Sequence, residues 1–110
     1  MIAGAVRSLI VPEPTSRENA AVTTLSLSNN VIGTKGTEAI AEALRVNTVV
    51  TTLDLGYNSI GPEGALAIAE ALKINGILTT LILKFNTMED AGAKAVHKAV
   101  EDRTGFDLVL

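Results

Sequence analysis

The sequence has no cysteine, a single histidine and only three aromatic residues among its 110 positions. Without cysteine the chain can form neither a disulfide bond nor a thiol nucleophile, and one histidine leaves too few ligands for a zinc site. The absence of disulfides also favours a cytoplasmic location. We therefore expect no metal and no other cofactor, and a hydrophobic core built from aliphatic side chains.

Positive charge and long apolar runs are also scarce. The formal net charge is -3, which argues against nucleic acid or an anionic membrane surface as a partner, because both require a basic face. No apolar run approaches the length of about 18 residues that a membrane-spanning helix needs. Met1–Val6 is apolar but short, and no basic segment precedes it, so we expect no signal peptide.

What the sequence does contain is an internal repeat. Val50–Ile77 reads VTTLDLGYNSIGPEGALAIAEALKINGI, and it matches Val22–Val49 at 16 of 28 positions and Leu78–Gly105 at 9. A fixed period of this length predicts an array of stacked units. We expect one domain over residues 1–110, divided into 1–21 as an N-terminal cap or truncated repeat, 22–49, 50–77 and 78–104 as repeats, and 105–110 as a terminal strand.

Each repeat predicts a short strand followed by a helix. Thr24–Leu27, Thr52–Leu55 and Thr80–Leu83 alternate polar residues with leucine, which is the period of a strand with one buried face. The helices carry small and branched apolar residues at helical spacing, as in Ala39-Ile40-Ala43-Leu44. Thr34 and Asp90 suit the N-cap position, and Pro62 suits the first helical residue.

One glycine recurs in the first turn of every predicted helix. Glycine costs a helix about 1 kcal/mol relative to alanine, so its recurrence predicts close approach of each helix to a neighbour. The three positions are Gly36, Gly64 and Gly92.

The two ends of the chain depart from the repeat. Leu108 and Leu110 follow Leu81 and Leu83 by 27 residues instead of 28, so Gly105–Leu110 predicts a final strand with one residue deleted. Its apolar edge is a template for another strand, and we expect the terminal strands to pair between copies or the chain to belong to a longer array. At the other end, Leu9–Val11 predicts an edge strand and Ser16–Ala21 a helical turn, either as a cap or as an exchanged arm.

The pattern LxLxxNxIGxxGAxAIAEALKxN at Leu53–Asn75 resembles a leucine-rich repeat. Its period and small-residue helix resemble the ribonuclease-inhibitor class, found in Nod-like receptors and Ran GTPase-activating proteins. The resemblance implies an α/β leucine-rich repeat solenoid, a right-handed βα superhelix with a parallel sheet on the concave face and helices on the convex face. It also implies that one asparagine per repeat turns inward and bonds adjacent turns in a ladder; these are Asn30, Asn58 and Asn86.

The same resemblance implies a non-catalytic module that binds another protein. Alternation places polar and apolar side chains on the concave face, and the two repeated aromatic residues follow at its rim. Aromatic residues flanked by charge are typical anchors of interfaces. The candidate partner-binding residues are Asp54, Tyr57, Ile82, Lys84 and Phe85. In the alternative interpretation, the two rings fold over the loops and shield the edge of the core.

Other candidate chemistry has a simpler explanation. Asp54 and Lys84 have no second carboxylate or histidine in register, so we interpret them as solvated charges and predict no catalytic residue. We interpret the acidic pair Glu89-Asp90 as a favourable interaction with the helix dipole rather than as a metal site. We interpret His97 as a residue on the flank of its helix, and Leu66 as an exposed residue on the convex face. The alternative function, a GTPase-activating regulator of the Ran-activating type, depends on the resemblance alone.

Overall fold

The computed structural model of the chain describes residues 23–47 and 49–110. The predicted strand at Leu9–Val11 and helical turn at Ser16–Ala21 lie outside the described residues. Strands and helices alternate along the rest of the chain. In order they are β1 (Thr24–Ser26), α1 (Gly33–Arg45), β2 (Thr52–Asp54), α2 (Pro62–Ile74), β3 (Thr80–Ile82), α3 (Glu89–Val100) and β4 (Asp107–Val109).

The four strands form one parallel sheet in the order β1-β2-β3-β4. Each strand ends one residue earlier than predicted, but the following leucine still bonds to its neighbour: the Leu55 N–H donates to the Ile82 carbonyl at 2.8 Å. Leu81 of β3 pairs with Leu108 of β4. The predicted terminal strand and its one-residue deletion are therefore confirmed.

The core lies between the sheet and the three helices. The inward leucines of β2 and β3 are fully buried, those of β1 and β4 are half-buried, and isoleucine and leucine side chains from the helices meet them. Burial of one such side chain stabilises the fold by about 1.5–3 kcal/mol. Alanines fill the remaining space, which keeps each helix close to the next. The largest fully buried side chains are Ile40, Leu44, Leu53, Leu55, Ile60, Ile68, Leu72, Leu78, Leu81 and Leu83.

The helix starts differ in part from the prediction. Pro62 is the first residue of α2 as predicted, but Thr34 and Asp90 are not N-caps, because Ile32 and Met88 occupy those positions without a side-chain cap bond. The backbone enters α1 and α3 two residues earlier than predicted, through positive φ angles at the first helical residues, Gly33 and Glu89. Thr34 and Asp90 therefore lie inside their helices.

Two of the recurring helix glycines, Gly64 and Gly92, are contact points with the preceding helix, as the sequence predicts, whereas Gly36 meets only Ile32 at the start of its own helix. A Cβ on Gly92 would lie 2.9 Å from the Ala65 Cβ of the preceding helix, and one on Gly64 would lie 3.2 Å from the Thr37 Cβ. Real Cβ atoms do not approach that closely without displacing a neighbour. The spacing between helices therefore depends on the missing side chain.

Gly92→Ala is expected to lower the free energy of unfolding by a net amount of up to about 2 kcal/mol. Overpacking against Ala65 costs about 1–3 kcal/mol, and the better helix propensity of alanine returns about 1 kcal/mol. Urea denaturation measures the difference. Gly76→Ala is the matched control, since its Cβ would meet nothing within 4 Å; equal stability losses in both variants would contradict close packing at Gly92.

Candidate functional site

The concave face is formed by the side chains that alternate with the buried leucines. Ser26, Asp54 and Ile82 are Cα partners across β1, β2 and β3, so they lie side by side in one row. Ser26 is exposed, and Asp54 and Ile82 are half-buried. The row therefore presents a hydroxyl, a carboxylate and an aliphatic group to one face of the sheet.

Asp54 is held in place by its own turn. Its Oδ1 accepts a hydrogen bond from the Gly56 N–H at 2.9 Å. A Cβ on Gly56 would lie 3.2 Å from that oxygen and 3.4 Å from the Lys84 carbonyl oxygen, so the buried glycine lets the two turns approach. The carboxylate thus has a fixed direction, and Lys84 remains exposed beside it.

The two aromatic residues at the rim form a stacked pair. The ring centroids of Tyr57 and Phe85 are 4.5 Å apart and the ring planes differ by 16°. Tyr57 remains 46% exposed and Phe85 67% exposed. The rings therefore cover each other while a large part of their surface faces solvent.

Both rings are attached to a left-handed backbone. The φ angles are 57° at Tyr57 and 59° at Phe85, and Asn29 at the equivalent position of the first repeat has 62°. Asparagine adopts this conformation readily, whereas bulky residues do so rarely. The strain is about 1–3 kcal/mol per residue, and such strain concentrates at functional sites.

An asparagine ladder supports the rim from beneath. Asn58 is fully buried; its Oδ1 accepts the Asn30 N–H at 2.8 Å and its Nδ2 donates to the Leu27 carbonyl at 2.8 Å. Asn86 repeats this arrangement one unit later, accepting the Asn58 N–H at 2.8 Å. The inward ladder that the resemblance implies is therefore present.

A second ladder, which sequence reasoning missed, lies at the opposite end of the strands, between each helix and the strand that follows it. The Asn75 Oδ1 accepts the N–H groups of Ile77 and Leu78, both at 2.8 Å, and its Nδ2 donates to the Leu44 carbonyl at 2.7 Å. The Asn47 Oδ1 likewise accepts the N–H groups of Val49 and Val50, at 3.0 and 2.8 Å, but its Nδ2 donates to the Val50 carbonyl of its own turn. The signal in the sequence was the 28-residue spacing of these two asparagines, which predicted only where the helices end.

Arg103 takes the third position of this second ladder. Its Nη1 donates to the Asn75 carbonyl at 2.9 Å and to the Leu72 carbonyl at 3.3 Å, and its Nη2 donates to the Leu78 carbonyl. The guanidinium also lies 4.7 Å from the centre of the Phe106 ring. Burial lowers the pKa of Arg103 below its ordinary value, but an arginine stays charged at neutral pH.

The remaining candidates lie apart from the rim. His97 is exposed on α3, Glu89 and Asp90 occupy the first turn of the same helix, and Leu66 is 49% exposed on α2. No group of three or more metal-binding side chains occurs within residues 23–47 and 49–110. In the same part of the chain, no helix has the length and apolarity to cross a membrane.

Comparison with known proteins identifies the same three repeats. A family model described as Leucine Rich repeat matches residues 18–41, 46–69 and 77–96. No curated protein matches the sequence. The fold is similar to that of a solved structure, "Leiomodin-1 Actin-Binding Site 2 (ABS2)", with a TM-score of 0.75 and 22% identity over 97% of this chain and 75% of that chain.

At that identity the structural likeness shows the fold alone, whereas the family model bears on the sequence itself. Its three matches each cover one strand and most of the helix that follows. Solenoids of this kind present extended concave surfaces to other proteins. The ribonuclease-inhibitor class stays a prediction. The family model matches more than half of the residues of this chain. The chain therefore belongs to the leucine-rich repeat family and is a protein-interaction module.

Proposed function

We propose that the chain binds its protein partner through the concave sheet and the aromatic rim, using Asp54, Tyr57, Ile82, Lys84 and Phe85. The observation that carries the proposal is the stacked, solvent-facing ring pair on a left-handed backbone. A folded domain keeps two strained and exposed aromatic residues at a cost in stability. Binding energy gained from a partner offsets that cost.

The geometry suits an anchor that is formed before binding. Each ring restrains the other, so little side-chain freedom is lost when a partner covers them. The hydrogen bond from Gly56 likewise fixes the Asp54 carboxylate, and the half-buried Ile82 supplies apolar area between the charges. The expected partner surface therefore combines an apolar pocket for the rings with groups that complement Asp54 and Lys84.

Actin is the first partner to test. The leiomodin-1 structure is that of an actin-binding site, and the shared fold supports a comparable use of the solenoid. The absence of cysteine supports a cytoplasmic setting, where actin is available.

The double variant Tyr57→Asn/Phe85→Asn is expected to weaken partner binding about tenfold or more. Removal of two interface anchors costs at least about 1.4 kcal/mol, the equivalent of one decade in affinity. Folding should be retained, because asparagine already occupies the same left-handed position at Asn29. Co-sedimentation with actin filaments measures the affinity, and capture from lysate with quantitative mass spectrometry extends the comparison to other proteins.

Leu66→Gln is the matched control, since it removes an exposed apolar side chain from the convex face and should leave binding unchanged. Proteins captured equally by the native chain, the double variant and the control would count against the rim as the binding site. The alternative function has a separate assay: stimulated GTP hydrolysis by a Ran-type GTPase would support a GTPase-activating regulator instead.

Self-association is a second candidate function, and one observation favours it. Within the described residues β4 pairs only with β3, and Leu110 just beyond it is 46% exposed. An unpaired strand edge beside apolar surface is a template for another strand. A second copy, or a further repeat in a longer array, would satisfy the same groups.

A further inference from the structure

The aromatic rim has an open position beside Tyr57. The rings of Tyr57 and Phe85 stack with their centroids 4.5 Å apart, close to the spacing of about 4.8 Å between strands, so the stack runs from one repeat to the next. The equivalent residue of the first repeat is Asn29, which has the same left-handed φ and donates its N–H to the Gly56 carbonyl at 3.1 Å. Its side chain is exposed and too short to cover a ring. The face of Tyr57 turned away from Phe85 therefore borders a space above Asn29, which we call the rim slot.

Hydrogen-bond acceptors lie beside the rim slot. The Asp54 Oδ1 accepts the Gly56 N–H at 2.9 Å, which holds the carboxylate against the residue that precedes Tyr57. The second oxygen, Oδ2, makes no hydrogen bond in the described part of the chain. In the first repeat, Ser28 precedes Asn29, and its Oγ lies 3.4 Å from the Ser26 Oγ. A carboxylate oxygen and two hydroxyl groups are therefore available to a hydrogen-bond donor that enters the rim slot.

One charged residue belongs to the two strands and turns that border the rim slot. Thr24–Gly33 contains no charged residue, and Thr52–Gly61 contains only Asp54. Beyond these segments, Lys35 and Glu63 lie in the first turns of α1 and α2. They are 28 residues apart and thus occupy equivalent positions, so their opposite charges offset each other. The Asp54 carboxylate therefore sets the local charge, and it favours a cation.

Lys84 and Asp107 are the remaining charges of the concave face, and both lie in later repeats. Lys84 makes no ion pair with Asp54 within 4.0 Å, and its stem lies over Gly56, where its Cγ would be 3.8 Å from an added Cβ. Its strand is two strands away from the first repeat, about 10 Å, which is comparable to the Debye length at physiological salt. A cation in the rim slot is therefore repelled weakly by Lys84, while it lies within reach of Asp54.

We propose that the rim slot takes an arginine side chain of the protein partner. The proposal rests on the rim being the partner-binding site, as proposed above, and names the group that the rim recognises. The guanidinium stacks on the free face of Tyr57 and donates to the Asp54 Oδ2. A planar cation suits both groups, whereas the ammonium of lysine is a compact, strongly hydrated charge. The chain itself contains a contact of this kind, since the Arg103 guanidinium lies 4.7 Å from the centre of the Phe106 ring.

Peptides selected from a random twelve-residue display library test the proposal with the intact chain. Peptides that bind the native chain and not the Tyr57→Asn/Phe85→Asn variant are expected to share an arginine. In a synthetic peptide, lysine in its place loses the planar group and citrulline loses the charge, and each should weaken binding about tenfold. Asp54→Asn should weaken the arginine peptide similarly and leave the affinity of the citrulline peptide unchanged, because the charge pair is already absent. Isothermal titration calorimetry measures the affinities.

A substitution of Asn29 tests the rim slot without altering Asp54 or the two rings. Asn29→Tyr places a third ring in the rim slot, and the fold should accept it because Tyr57 has the same left-handed φ. We expect this variant to bind the arginine peptide at least about tenfold more weakly. Asn29→Gly is the control, since glycine adopts a positive φ freely and leaves the rim slot open; its affinity should match that of the native chain.

A failure of the arginine proposal is distinguishable from a failure of the rim as the binding site. If no selected peptide depends on Tyr57 and Phe85, both proposals are overturned. Rim-dependent peptides without a shared arginine overturn the arginine proposal and leave the rim standing. The same conclusion follows if the arginine peptide binds Asn29→Tyr as tightly as the native chain, because the guanidinium would then lie elsewhere on the rim.

Discussion

Asn58→Ala is expected to lower the free energy of unfolding by about 2–4 kcal/mol. The Asn58 side chain accepts the Asn30 N–H and donates to the carbonyls of Leu27 and Gly56. Alanine would leave the Asn30 N–H without its partner and would remove one of the two donors to the Leu27 and Gly56 carbonyls, at a position where Asn58 is fully buried. A buried group left unsatisfied costs about 1–3 kcal/mol, and the cavity of the missing amide adds to that loss.

Urea denaturation followed by circular dichroism measures the effect. Asn30→Ala is the comparison, since Asn30 is exposed and its Nδ2 bonds only carbonyls of its own repeat, those of Leu27 and Ser28. We expect that variant to lose less than about 1 kcal/mol, because water replaces the amide. Similar losses of unfolding free energy in the two variants would show that the bonds between repeats stabilise the fold no more than the bonds within one repeat.

Arg103→Ala is expected to lower the free energy of unfolding by about 2–3 kcal/mol. Hydrogen bonds from a charged donor contribute more than neutral ones, about 1.5–3 kcal/mol, and the guanidinium serves the carbonyls of Leu72, Asn75 and Leu78 together. Contact with the Phe106 ring adds to this. The loss should be concentrated at β4, because Arg103 and Phe106 lead into that strand.

Hydrogen exchange separates this effect from a general loss of charge. Amides of β4 should exchange faster in Arg103→Ala, while those of β2 keep their protection. Lys73→Ala removes an equal charge from an exposed ion pair with Glu70 and should leave stability unchanged within error. If exchange rose uniformly along the sheet, the idea that Arg103 secures only the last strand would be wrong.

The fold was predictable to the level of strand register. Leucines at a fixed spacing fix which residues pair, and the shift of Leu108 by one residue predicted the deletion before β4 that the structure confirms. The helix starts were less predictable. Side-chain preference favoured Thr34 and Asp90 as caps, but the left-handed turn at Gly33 and at Glu89 starts each helix earlier, and no local sequence signal marks a glutamate for that conformation.

The candidate site was predictable in position and unpredictable in geometry. Register placed Tyr57 and Phe85 at equivalent points of adjacent repeats, so their proximity followed from the period. Their stacking and exposure depend on φ at both residues, and aromatic residues carry no preference for a positive φ. The role of Arg103 was missed because it replaces an asparagine, and the sequence does not show that its longer side chain reaches the carbonyls of Leu72, Asn75 and Leu78.

The two ladders also govern how this molecule tolerates insertions. Each interior unit completes the backbone of its neighbours with side-chain bonds that span 28 or 31 residues, as from Asn30 to Asn58 and from Asn58 back to Leu27. An added segment of one full period reproduces every one of these bonds, whereas an insertion of another length between two ladder asparagines changes their 28-residue spacing. In-frame duplication of a central unit is therefore a route by which the solenoid lengthens without redesign.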